Sequence, residues 1–151
     1  MSIKEEVEVL RGIPLFAKLE PAKLKLLAFT SQRLTFAPSQ ALFHQGDPGD
    51  AAYIVLEGEA EVLIDTPQGP VKVAEIGRHA VIGEVAILCD VPRTASVVAK
   101  SRLVTLRIDK DLFFRLVNEF PLMAVEIMRE LARRLEKTNE QLRRAVSRTM
   151  V

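Results

Sequence analysis

Residues 82–97 read Ile82-Gly83-Glu84-Val85-Ala86-Ile87-Leu88-Cys89-Asp90-Val91-Pro92-Arg93-Thr94-Ala95-Ser96-Val97. A glycine lets the backbone approach a ligand closely and take dihedrals closed to other residues. A short helical turn starting just after Gly83 would aim its free N–H groups at whatever lies in front of it, which favours an anion. Glu84 offers an acceptor to a sugar hydroxyl. Arg93 follows Gly83 by ten residues, with the Thr94 hydroxyl beside it. Its guanidinium is a planar five-donor cation suited to phosphate oxygens. Singly, each piece is ordinary: Gly-Glu is usually a turn and an acid, and Pro-Arg-Thr a solvated charge at a strand start. Together they set two kinds of phosphate donor and one ribose acceptor in one string between two predicted strands.

Outward from this string the chain reads as three zones. Residues 32–108 are β. Turn signals recur at Ala37-Pro38-Ser39, Gly46-Asp47-Pro48-Gly49-Asp50, Glu57-Gly58, Thr66-Pro67-Gln68-Gly69-Pro70, Gly77 and Asp90-Val91-Pro92. Between them lie short runs such as Glu59-Ala60-Glu61-Val62, alternating with period two, and the β-branched run Arg102–Ile108. Residues 55–62 read as a hairpin. Seven or eight such strands imply a sandwich, jelly roll or small barrel. Residues 1–31 read as helical, with Leu10, Ile13, Leu15 and Phe16 followed by a helix that Pro21 opens and whose Leu24, Leu27 and Ala28 share one face. Residues 109–151 are helical again. Asp109-Lys110-Asp111 can cap a helix that Phe120-Pro121 breaks, and a second, long helix then runs from about 122 to 147 without Gly or Pro. Met128, Leu131, Leu135, Leu142 and Ala145 form a heptad seam on it, with Thr138 in the gap. The expected fold class is α+β: a jelly-roll-like β-roll of about eight short strands, flanked by N-terminal helices and a long C-terminal helix, in one domain spanning 1–151.

Composition narrows the function. Lys plus Arg number 21 and Asp plus Glu 20, so no global field draws the protein to nucleic acid or an anionic membrane. The single cysteine, Cys89, excludes an internal disulfide and fits a reducing compartment. No apolar stretch is long enough to span a membrane, and the acidic start lacks a signal-peptide pattern. A cytoplasmic protein is expected. A metal-dependent β-roll enzyme would need clustered ligands. His44 and His79 are the only histidines and have no matching cluster. No nucleophile elbow is present. Hence no catalytic residue, no metal and no cofactor are expected.

The string 83–97 resembles the phosphate-binding cassette of the cyclic-nucleotide-binding domains. This family includes catabolite activator proteins, regulatory subunits of cyclic-AMP-dependent kinase and cyclic-nucleotide-gated channels. Pro14-Leu15-Phe16, Gln45-Gly46-Asp47-Pro48-Gly49-Asp50 with Tyr53, and Gly58 also match, so the resemblance covers nearly the whole chain. It implies a bound cyclic AMP or cyclic GMP. Gly83 would let the backbone approach the ligand, backbone N–H groups near Val85 and Ala86 would touch the cyclic phosphate, Glu84 would lie on the ribose 2′-hydroxyl, Arg93 on the phosphate, and Thr94 on phosphate or base. Gly46, Gly49 and Gly58 look like turn requirements. The segment Ala132–Glu140 resembles the dimer helix of the activator proteins, where a Thr-Ser pair contacts the purine. Thr138 and Asn139 occupy those positions here, with Asn139 in place of the serine.

The expected function is a cyclic-nucleotide sensor that signals by repositioning its C-terminal helix. Its expected partners are a second copy, paired through that helix, and an effector protein in trans. The chain stops at Val151, too soon for the helix-turn-helix of family activators. It therefore reads as a stand-alone domain or, alternatively, as a module excised or evolved from a larger transcription regulator or channel, no longer responsive to ligand. Basic residues between Arg129 and Arg148 complement a helix C-terminus. Neither nucleic acid nor membrane is an expected partner.

Overall fold

The structure, a computed structural model, describes residues 2–13 and 16–149. The Pro14-Leu15 part of the first matching element lies outside the described residues. The chain divides into two compact units, Met1–Arg115 and Leu116–Val151.

The first unit opens with α1 (Ile3–Arg11) and α2 (Pro21–Thr30). Ser2 caps α1: its Oγ accepts from the Glu5 N–H at 3.2 Å. Pro21 opens α2, where a missing N–H costs nothing. The helical zone is therefore two helices. Ile13 and Phe16 lie in the connection between them, each only 2% exposed.

Eight strands follow: β1 (Gln32–Phe36), β2 (Ala41–Phe43), β3 (Ala51–Glu57), β4 (Ala60–Thr66), β5 (Gly69–Ile76), β6 (Val81–Ile82), β7 (Ser96–Ala99) and β8 (Leu103–Asp109), with α3 (Glu84–Cys89) between β6 and β7. They form two four-stranded antiparallel sheets, β1-β8-β3-β6 and β2-β7-β4-β5. The expected β-roll with about eight strands is thus observed.

One expectation is corrected. Residues 55–62 are not a hairpin, because β3 and β4 belong to different sheets. The chain turns a corner at Gly58, whose φ is +94°. There the Glu59 carbonyl accepts from the Lys100 and Ser101 N–H groups, so β4 leaves beside β7 and not beside β3. A Cβ on Gly58 would sit 2.2 Å from the Arg102 carbonyl oxygen.

β3 carries the core. Ala51, Tyr53 and Val55 join Phe36, Ala60, Ile82, Val97, Ala99 and Leu103 in one cluster. Ala52, Ile54 and Leu56 alternate to the opposite face and are equally buried. Being covered on both faces, β3 reads as an unbroken apolar run with no alternation. Glu6, buried on α1, accepts from Arg33 of β1 at 2.6 Å and ties the first helix to the roll.

α4 (Lys110–Glu119) starts under an Asp109 cap, Oδ1 accepting from the Leu112 N–H at 2.8 Å. Pro121 ends its run and opens α5 (Pro121–Thr149), which makes up most of the second unit. On α5, Met128, Leu135 and Leu142 are 60%, 63% and 61% exposed. Leu131 is half-buried and Ala145 exposed. No described helix is long and apolar enough to cross a membrane.

Candidate ligand site: an arginine held behind a glycine

The cassette string folds as a strand end, a corner and a one-and-a-half-turn helix. Gly83 sits at φ +87°, in the left-handed region, and α3 begins at the next residue. By the geometry of any helix start, the first N–H groups of α3 have no acceptor inside the helix. These belong to Glu84, Val85 and Ala86. Glu84 is 5% and Ala86 4% exposed, with Val85 half-buried.

Arg93 lies 3% exposed behind this corner. Its Nη1 donates to the Gly83 carbonyl at 2.9 Å and its Nη2 to the Ala51 carbonyl at 2.6 Å. The guanidinium carbon stands 4.0 Å from the centroid of the Phe43 ring, a cation–π contact. A Cβ at position 83 would lie 2.4 Å from Arg93 Nη1. Glycine is thus needed twice over, for its φ and for the space the arginine fills.

Electrostatically the guanidinium is under-compensated. Its nearest carboxylate, Asp50 Oδ1, is 3.8 Å from Nη2, and Asp50 Oδ2 also faces Arg107 at 3.4 Å. Arg93 Nε is shielded from solvent and has no hydrogen-bond partner among the described residues. Burial pushes the arginine below its ordinary pKa, with Tyr53 and Asp50 acting in the opposite sense. A buried cation with a spare donor and a shared counter-charge can accept a further hydrogen-bonded anion.

The loop before β3 holds the other side. The Gly46 N–H donates to the Arg93 carbonyl at 2.9 Å, and the Arg93 N–H donates to the Asp47 carbonyl at 2.8 Å. Ser96 Oγ accepts from the Gln45 N–H at 2.8 Å. Gly49 proves to be more than a turn requirement. A Cβ there would stand 2.3 Å from the Ala86 Cβ, so this glycine lets the loop close onto α3. Gly46 and Gly58 do take positive φ, as expected of turns.

The structure thus gathers Gly83, Glu84, Val85, Ala86 and Arg93 around one corner, with Thr94 exposed next to the arginine. Thr138 and Asn139 belong to α5 in the second unit; both are exposed, and Thr138 Oγ1 donates to the Arg134 carbonyl at 2.9 Å. Phe43, Asp50 and Ala51 also shape the site, and sequence reasoning missed them in that role. Asp50 stood inside a quoted turn, but its distance of 43 residues from Arg93 hid their meeting.

A family model described as cyclic nucleotide-binding domain matches residues 33–120, which include the loop, α3 and Arg93. The chain belongs to the cyclic nucleotide-binding domain family. Within that family it is 34% identical over 109 residues to a cAMP-dependent protein kinase regulatory subunit of Aspergillus niger, covering 72% of this chain and 26% of that protein. It is 29% identical over 136 residues to a CRP-like cAMP-activated global transcriptional regulator of Mycobacterium tuberculosis, covering 89% of this chain and 61% of that one. Among solved structures, the catabolite activator protein of Thermus thermophilus superposes with a TM-score of 0.77 at 30% identity, over 85% of this chain and 61% of its own. The chain therefore spans only part of the length of these relatives.

Proposed function

We propose that this chain is a cyclic-nucleotide sensor and not an enzyme. Its ligand is cyclic AMP or cyclic GMP, bound as a signal and not as a cofactor. The observation that carries the reading is Arg93: buried, short of counter-charge, and with Nε unpartnered among the described residues. In the bound state the cyclic phosphate lies against Arg93 and the N–H groups of Val85 and Ala86 in the first turn of α3, with Gly83 at the corner that brings them there. Glu84 accepts from the ribose 2′-hydroxyl. Thr94 meets phosphate or base, and Thr138 and Asn139 meet the purine. Cyclic AMP is the favoured ligand, since the names of the kinase regulatory subunit and the transcriptional regulator compared above carry it.

A ligand at 100 times its dissociation constant stabilises the native state by about 2.7 kcal/mol. For a chain of this size that raises the melting temperature by roughly 5–10 °C. A thermal-shift titration with both nucleotides, backed by calorimetry, checks this, and cyclic AMP is expected to give the larger shift. Silence from both methods at millimolar ligand would reject the sensor reading.

That silence would favour a second reading, in which the domain is a module of a larger regulator that no longer uses ligand. One observation favours it: Arg93 already donates to the Gly83 and Ala51 carbonyls.

The output is proposed to run through α5. Met128, Leu135 and Leu142 recur every seven residues, and all three are exposed, which suits pairing with a second copy about a two-fold axis. A purine contacted by Thr138 and Asn139 would bias the position of this helix by its differential affinity for two arrangements, which an effector protein then reads. Leu135→Glu is expected to weaken dimerisation and ligand affinity together. Asn139→Ala is expected to lower affinity with the dimer intact. Sedimentation with and without nucleotide decides between outcomes: a Leu135→Glu monomer binding at full strength would remove the coupling, and a wild type monomeric at saturation would remove the dimer.

A further inference from the structure

β2 carries an irregularity that aims one side chain at Arg93. Ala41 stands opposite Val98 of β7, yet Phe43 stands opposite Val97. β2 therefore advances two residues where β7 advances one, which is a β-bulge. A one-residue slip of this kind exchanges the faces of a strand. Val97 is 2% exposed and belongs to the core cluster, whereas Val98, half-buried, alternates to the other face. The bulge thus turns Phe43 toward the cluster, against which it packs half-buried. Its ring lies 6.1 Å from that of Tyr53, and Tyr53 lies 6.4 Å from Phe36, centroid to centroid. Three aromatic rings from three strands therefore hold one another in place.

The same Phe43 ring lies 4.0 Å from the Arg93 guanidinium carbon. Two hydrogen bonds hold the guanidinium, from Nη1 to the Gly83 carbonyl and from Nη2 to the Ala51 carbonyl. Two points fix an axis but leave a tilt about it, which the flexible stem of the side chain does not remove. A ring against the flat face does remove it. The ring also keeps water off that face, so a hydrogen bond from the shielded Nε–H acts in surroundings of low dielectric.

We infer, resting on the nucleotide reading above, that Phe43 is a positioning residue for the ligand phosphate. Its ring sets the plane of the Arg93 guanidinium and thereby the direction in which Nε–H is offered. The role belongs to the aromatic ring and not to apolar bulk at this position. An aliphatic side chain fills similar space but has no quadrupole to hold a flat cation. An arginine left free to tilt must be ordered at the moment of binding, and that ordering lowers affinity.

The test uses the full chain and calorimetric titration with cyclic AMP and cyclic GMP. Phe43→Leu should weaken binding by about fivefold or more, while Phe43→Tyr, which keeps the ring, should stay within about twofold of wild type. In an Arg93→Lys background, Phe43→Leu should weaken binding by less than about twofold, because an ammonium has no plane to set. Phe43 is only half-buried, so both variants are expected to fold, which thermal melts check. A second readout needs no ligand. The Arg93 Nε–H resonance should exchange slowly with water and be shifted upfield by the ring in wild type and in Phe43→Tyr. Both features should be lost in Phe43→Leu. The role of Phe43 is overturned by wild-type affinity in Phe43→Leu, by an equal loss in Phe43→Tyr, or by an undiminished loss in the Arg93→Lys background. An Nε–H resonance unchanged in Phe43→Leu would overturn it too. These results leave the nucleotide reading standing, whereas a wild type that binds neither nucleotide would sink that reading and this role with it.

Discussion

Arg93→Ala should lower cyclic-nucleotide affinity by about thirtyfold or more, because truncating one partner of a buried charge pair costs about 2–5 kcal/mol. The guanidinium sits 3% exposed behind Gly83 with its Nε unpartnered among the described residues, so the ligand phosphate would be its first full counter-charge. The unliganded fold should tolerate the change. Two carbonyls, those of Gly83 and Ala51, lose their donors. Against this, a desolvated cation is removed, and the two effects oppose each other. Arg93→Lys should recover only part of the affinity. An ammonium cannot hold both carbonyls and a phosphate edge in one plane, and it gives up the flat contact with Phe43. Calorimetric titration, with circular dichroism to follow melting, checks both variants. Full affinity in Arg93→Ala would place the phosphate elsewhere.

The second large effect falls at the corner between β3 and β4. Gly58→Ala should cost about 3 kcal/mol or more, the sum of a residue strained at positive φ and an overpacked contact. The obstacle is backbone: the added Cβ would lie 2.2 Å from the Arg102 carbonyl oxygen and 3.0 Å from Leu103 Cα. No rotamer change relieves that. A melting decrease of roughly 6–12 °C follows. Gly69→Ala is the control. Its φ is +108°, yet nothing lies within 4 Å of the added Cβ, so only the backbone term of about 1 kcal/mol applies. Thermal melts of the two variants separate crowding from backbone strain. Equal losses would show that the close approach to Arg102 contributes nothing.

The two variants also mark where the sequence was legible and where it was not. The cassette could be read because its chemistry is contiguous: the glycine, the acid, the helix start and the arginine lie within twelve residues. The zones could be read because turn signals, strand alternation and the capped helices are local properties. What could not be read is which strand lies beside which. Gly58 between two apolar runs looks like a hairpin turn, and nothing local says that the Glu59 carbonyl will be held by Lys100 and Ser101, more than forty residues on. Phe43, Asp50 and Ala51 stayed hidden for the same reason. Phe43 ends a three-residue strand, and its ring meets Arg93 only once the roll has formed. Gly49 looked like punctuation because the neighbour that requires it, Ala86, comes from another element.

The pairing of β1 with β8 bears on how the chain reaches this form. Gln32 stands opposite Arg107, so the first strand of the roll is completed by the last. β3, the most buried strand, also waits for β8 on one side. Contacts this distant in sequence must close a long loop before they repay its entropy, and folds dominated by them assemble slowly. During synthesis from the ribosome, β1 and β3 emerge well before Leu103–Asp109. Until those residues arrive, the apolar run Ala51–Leu56 has an open edge, the kind of exposed surface that chaperones exist to shield. The strand that closes the sheet is thus the one whose arrival removes that open edge.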